Sequence, residues 1–169
     1  YGEVWIRDLN SFIELSVAVN GKERSAEALL TFFRFQGVDG NIPDGYIPIE
    51  TGYGGYKYIF SDLAPEYKAH KNTVETDQES SLIQAIYKYI DVTGDRGFLQ
   101  ESINGKTVKE GMADALRYLI EHRMNEQYGL LWGATTVDWG DVQPEHHWGV
   151  ELDSLSHPAI DVYDNAMFV

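Results

Sequence analysis

Four stretches of helical periodicity, joined by two short links and one long loop, fill residues 7–125, and a second long loop follows. This rhythm constrains the fold more than any other feature of the chain. In the first stretch, 7–20, Leu9, Phe12, Ile13, Ser16 and Val17 recur at i, i+3, i+4 spacing, with Leu15 and Val19 widening the apolar surface. That pattern predicts a helix buried on most sides. Asn20-Gly21-Lys22-Glu23 is a turn with glycine as the stop. Ser25 is the expected N-cap of a second helix over about 26–36, with Leu29, Leu30, Phe32 and Phe33 inward.

Thr76-Asp77-Gln78-Glu79 has the spacing of a capping box and predicts a helix over 77–93 carrying Leu82, Ile83, Ala85, Ile86, Tyr89 and Ile90. Thr107-Val108-Lys109-Glu110 is a second such box, opening a helix to about Asn125 with Met112, Ala115, Leu116, Leu119 and Ile120 inward. Phe98–Ile103 adds one turn, and Pro158 suits the first turn of a final helix from Ala159 onward. Tyr87, Tyr89 and Tyr118 are expected in the core.

The long loops run over 37–75 and 127–157. The first holds Asp39-Gly40-Asn41-Ile42-Pro43-Asp44-Gly45-Tyr46 and Gly52-Tyr53-Gly54-Gly55-Tyr56, which is turn chemistry, with too many tyrosines for a floppy linker. A short strand or hairpin is expected around Tyr56–Phe60. Antiparallel helix pairs joined by short links place both long loops at one end, together with the N-termini of helices 1, 3 and 5. Three polar clusters are therefore expected to converge there: Trp5/Arg7/Asp8, Thr76/Asp77/Glu79 and Asp161/Asp164/Asn165.

The second loop contributes the stretch Trp132–Pro144, in which Asp138 and Asp141 flank Trp139. A carboxyl beside an indole in a partly dry cleft has its pKa raised by desolvation and can act as a general acid near neutral pH. Glycoside cleavage needs such an acid and a second carboxylate to activate water or attack carbon. Taken alone, Asp138 and Asp141 read first as turn-formers accepting backbone N–H bonds; the expected convergence of the polar clusters favours the chemical role. Arg7-Asp8 reads either as a helix start with its ion pair or as a pair that hydrogen-bonds sugar hydroxyls beside Trp5 as a stacking platform. Asp77 shares that choice. Glu79 is expected in its capping box, and Asp161 and Asp164 suit a helix first turn as well as a cleft. His146-His147, with His157, do not predict a metal site: adjacent histidines point apart, and no i, i+4 pair is present. No nucleotide- or phosphate-binding fingerprint is present either, so no cofactor is expected.

The net charge of -14 argues against nucleic acid or an anionic membrane as partner and suits a neutral carbohydrate. No apolar run approaches the roughly 20 residues of a membrane span. Without cysteine, disulfides and thiolate metal sites are excluded. Residues 1–169 read as one partial domain cut at both ends.

Val4-Trp5-Ile6-Arg7-Asp8 resembles the W-x-R-D motif of glucoamylase-like and glycogen-debranching-type glycosidases. Asp39-Gly40-Asn41-Ile42-Pro43 is similar to their D-G-x-I-P loop, and Asp77 through Thr93-Gly94-Asp95 to their acid-rich inner helix ending in T-G-D. Val137-Asp138 falls where debranching-type enzymes have T-W-M-D, with Thr136 in place of the Trp, so Asp141 stays a competitor for the proton donor. The resemblance implies an all-α chain, roughly half of an (α/α)6 toroid of helical hairpins. Arg7 and Asp8 would then bind hydroxyls of the terminal sugar, and Asp138 or Asp141 would protonate the leaving oxygen with inversion. The base would come from a later part of the toroid, leaving this piece inactive by itself. The substrate-binding set expected on both grounds is Trp5, Arg7, Asp8, Asp77, Trp139 and Asp161. A non-catalytic sugar-binding protein or glycoside phosphorylase with the same cleft is the alternative, and a helical protein-binding scaffold ranks behind both.

Overall fold

The structure, a computed structural model, describes residues 2–52, 57–70, 75–134 and 157–169. Strand β1 (Val4–Trp5) runs directly into helix α1 (Ile6–Asn20). Gly21, at φ 87°, turns the chain into α2 (Lys22–Arg34), a corner that a side chain would strain. The α1 stripe that meets the core is Ile6, Arg7, Asn10 and Ile13. The helix is not buried on most sides: Phe12 is 56% exposed and Val19 72%. The second helix begins earlier than expected, so Ser25 is a buried residue of its first turns and not its cap. Its backbone N–H donates to the Gly21 carbonyl at 3.2 Å. Leu29, Phe32 and Phe33 face inward as the periodicity predicts.

The loop after α2 is partly sheet. Strands β2 (Gly45–Pro48) and β3 (Tyr67–His70) pair antiparallel, and β1 joins the other edge of β2 through Val4↔Tyr46 and Trp5↔Gly45. The hairpin expected around Tyr56–Phe60 amounts, among the described residues, to one bridge between Ile59 and Ala69. Gly40, at φ 98°, lies so close to helix α4 (Val108–Tyr118) that an added Cβ would sit 2.3 Å from the Asp114 carbonyl oxygen.

Helix α3 (Gln78–Thr93) packs lengthwise on α1 and ends at Gly94 in the left-handed conformation. Leu82, Ala85, Ile86 and Tyr89 are buried, whereas Tyr87, expected inside, is 70% exposed. A 3-10 turn (Arg96–Gln100) and the hairpin β4 (Ser102–Ile103) and β5 (Lys106–Thr107) lead to α4. The Thr107–Glu110 capping box is complete, with backbone and side chain satisfied in both directions. The helical pattern does not continue to Asn125. A π turn (Leu119–Arg123) follows α4, then the hairpin β6 (Met124–Asn125) and β7 (Leu130–Leu131). Strand β8 (Gly133–Ala134) pairs with β9 (Pro158–Ala159), so Pro158 is in a strand and α5 starts later, at Val162–Phe168.

The expectation of an all-α chain forming part of a helical toroid is overturned. The described residues hold five α-helices together with four small antiparallel sheets, a mixed α and β architecture. The reason is local. Segments such as Gly45-Tyr46-Ile47-Pro48 are too short to show a period, yet Tyr46 and Ile47 are bulky β-formers and both are buried, Tyr46 in the core beside α2. The Tyr46 ring meets Phe32 and Tyr67 edge-on, each at 5.1 Å. The main core gathers Ile6, Ile13, Leu29, Phe32, Leu82, Ile86, Tyr89 and Phe98 between α1, α2, α3 and that sheet.

Candidate functional site

Arg7 is carried into the interior by the first turn of α1. Its Nε donates to Asp77 Oδ2 at 2.7 Å, and its Nη2 to Asp77 Oδ1 at 3.3 Å and to Glu75. Asp44 Oδ1 stands 3.7 Å from the same nitrogen. All four side chains are buried. Asp44 is fixed by its backbone: its N–H donates to the His70 carbonyl at 2.8 Å, and its carbonyl accepts from Ile6 at 2.9 Å. Gln78 Nε2 donates to Glu75 at 3.1 Å.

Three buried carboxyls thus share one guanidinium. Burial works against the charge on Arg7, but Asp77, Glu75 and Asp44 outweigh it and hold the guanidinium more firmly protonated than usual. Desolvation raises Glu75 well above the ordinary carboxylate range, with repulsion from Asp44 adding to it against the pull of Arg7. Asp77 is raised for the same first reason, with Arg7 opposing. Both carboxyls therefore bind a proton more tightly than exposed ones would.

A second ring of contacts surrounds it. His70 Nε2 meets Glu3 Oε1 at 2.5 Å, and His70 Nδ1 is 3.9 Å from Asp44. The half-buried Trp5 packs edge-on against the His70 ring at 4.9 Å. Asp8 is half-buried in the first turn of α1, where the helix dipole favours an acid.

The capping box expected at Thr76–Glu79 does not form. Asp77 is the N-cap residue without a side-chain cap, because its carboxylate is taken by Arg7. Glu79 instead accepts the Ile42 N–H at 2.8 Å, pinning the loop that follows α2. Thr76 donates its hydroxyl to the Trp132 carbonyl at 2.9 Å. Seven consecutive polar residues, Glu75–Ser81, are buried as a result.

Two of the three clusters expected to converge do meet, through Arg7 and Asp77. In the third, Asp161 caps α5 by accepting the Asp164 N–H at 3.0 Å, and Asn165 brackets Leu131 at both its N–H and its carbonyl. Asp138, Trp139 and Asp141 lie outside the described residues, as do His146 and His147. Among the described residues, no three His, Asp or Glu side chains are arranged to hold a metal ion.

The β6–β7 hairpin and β9 line an open cleft of about 620 Å³, with Asn125, Glu126, Tyr128, Trp132, Pro158 and Ile160 among its residues. The Thr76–Trp132 hydrogen bond joins the cleft to the carboxyl cluster.

No family model matches the chain. No curated protein and no solved structure matches it either.

Glu3, Asp44, His70 and Glu75 are the residues that sequence reasoning missed. Glu75 had a signal, standing two positions before Asp77 in a run of polar residues. Asp44 was read as turn chemistry, and nothing in periodicity or spacing pointed to Glu3 or His70.

Proposed function

We propose that the protein is a glycoside hydrolase that cleaves an oligosaccharide or glycan by inverting acid/base chemistry. One observation carries the reading: the polar run Glu75–Ser81 is buried together with Arg7 and Asp44, with three carboxyls to one guanidinium among the described residues. As a device for stability this is poor. Buried ions are desolvated at a cost that well-packed apolar side chains avoid, and surplus carboxyls deepen it. Clusters of titratable groups shifted by desolvation and by specific charged partners are concentrated at functional sites. The W-x-R-D resemblance around Arg7 and Asp8 supports the same reading from the sequence.

In this reading Arg7 and Asp77 act as positioning residues. They hold the start of α1 and the approach to α3 so that the half-buried Trp5 and Asp8 can meet sugar hydroxyls and a sugar face. Asp161 contributes by fixing the start of α5. Asp138 or Asp141 donates its proton to the glycosidic oxygen as the C–O bond breaks, with Trp139 keeping the donor dry. A second carboxylate takes a proton from water as its oxygen adds to the anomeric carbon from the opposite face. Inversion needs the two carboxyls ~6.5–9.5 Å apart, to leave room for that water.

The test uses the complete protein against a panel of oligosaccharides, with anomers followed by NMR. Asp138→Asn or Asp141→Asn is expected to abolish turnover while leaving the circular dichroism spectrum unchanged. Near-parental rates in both variants would reject the reading. Turnover that requires phosphate would make the protein a phosphorylase.

A further inference from the structure

We propose that the cleft between the β6–β7 hairpin and β9 is a subsite for a neutral sugar, with Trp132 and Tyr128 as its stacking surfaces. The proposal rests on the carbohydrate reading above and names where part of the substrate lies. At about 620 Å³ the cleft is within the range of roughly 300–1,000 Å³ typical of small-ligand sites and would take a short oligosaccharide segment.

Trp132 is held on three sides. Its N–H donates to the Arg123 carbonyl at 2.9 Å, and its own carbonyl accepts from Thr76 at 2.9 Å. The buried Arg123 guanidinium lies over its ring, 5.0 Å from the centroid. An aromatic ring fixed in this way loses little freedom when a ligand stacks on it. Tyr128 is presented by a tight turn: the Asn125 side-chain oxygen accepts the N–H groups of Gln127 and Tyr128 at 3.1 and 3.2 Å. Gly129 closes that turn at φ 64°. Tyr128 is 62% exposed.

The lining also selects the occupant. Glu126 places a carboxylate at the rim of a chain whose net charge is -14, which repels anionic ligands. Aromatic faces combined with carboxylate and amide groups suit the apolar faces and hydroxyl edges of a pyranose. A purely apolar segment would leave the Glu126 carboxylate without a matching donor. The Thr76 bond sets this cleft against the Arg7 cluster, so a sugar bound here would lie beside the start of α3.

The experiment is a titration with maltotriose, cellotriose and mannotriose, and with trigalacturonate as the anionic control. It is followed on the indole N–H resonance of Trp132, assigned by its loss in Trp132→Phe. At least one neutral trisaccharide is expected to shift that resonance at millimolar concentration, trigalacturonate to leave it unmoved, and Tyr128→Ala to weaken binding about three- to tenfold. Because Tyr128 is exposed, this variant keeps the test valid even if Trp132→Phe perturbs the fold. Three results would overturn the subsite: no neutral trisaccharide moves the Trp132 signal, Tyr128→Ala binds like the parent, or trigalacturonate shifts the signal as strongly as the neutral sugars. These are separable from failure of the hydrolase reading, in which sugars bind here but turnover survives both Asp138→Asn and Asp141→Asn.

Discussion

Arg7 is the residue on which the buried polar region depends. It is the counter-charge for Glu75, Asp77 and Asp44, and none of the three is exposed enough to turn to water. Arg7→Met should therefore destabilise the protein by about 3–5 kcal/mol, the usual consequence of breaking a buried pair from one side. Arg7→Lys should lie between the parent and Arg7→Met. It restores charge, but its single ammonium cannot reproduce the Nε and Nη2 contacts that Asp77 receives. Urea unfolding midpoints of the three proteins check this order. Equal stabilities of the parent and Arg7→Met would show that the carboxyls are satisfied without the guanidinium.

At the scale of elements, two identical sequence patterns behave differently. Thr107 caps α4 with a complete capping box, and Thr107→Ala should cost about 0.5–2 kcal/mol, read as a lowered thermal midpoint. Thr76 does not cap α3, so Thr76→Ala should leave the helix start unchanged and free the Trp132 carbonyl, a difference that amide exchange at the two helix starts would detect. Both patterns are equally convincing in the sequence. What separates them is tertiary: Glu79, which would complete the second box, is taken by the Ile42 N–H, and Asp77 by Arg7. The same competition explains how much of the fold was legible. Helices α1 and α3 show in the period of their apolar residues almost to their ends, and Gly21 and Gly94 mark their stops. Strands of two to four residues leave no period to read, and the π turn that ends α4 lies inside an apolar pattern that continues past it. Arg7 and Asp77 could be picked out by their motifs, whereas Asp44, His70 and Glu3 reach the site only because β1, β2 and β3 pair in one register.

For the whole molecule, the buried carboxyls give stability a distinctive pH dependence. Glu75 binds its proton more tightly folded than unfolded, so its contribution falls as pH rises from the ordinary value of 4.5 through its raised folded value. Asp95, lowered by its hydrogen bond from Lys22, and Asp114, lowered by that from Lys106, act in the opposite sense: their contribution is present above 3.8 and lost as pH falls. Stability should peak between these limits. Glu75→Gln, which keeps an acceptor for Arg7 but has no proton to lose, should flatten the alkaline side without removing it, since Asp77 is raised as well. Urea midpoints from about pH 4 to 8 test this, and parallel curves for parent and variant would contradict it. The cluster also fixes an order of events in folding. Arg7 finds Glu75 and Asp77 across 68 and 70 residues of chain, while the Thr107–Glu110 box closes across three. Contacts of such long range carry a loop-closure entropy that local ones do not, so α4 can form early and the Arg7 cluster only as α1 and α3 dock. The polar centre and the apolar contacts between α1 and α3 bridge the same length of chain, so the two are expected to come together in one step.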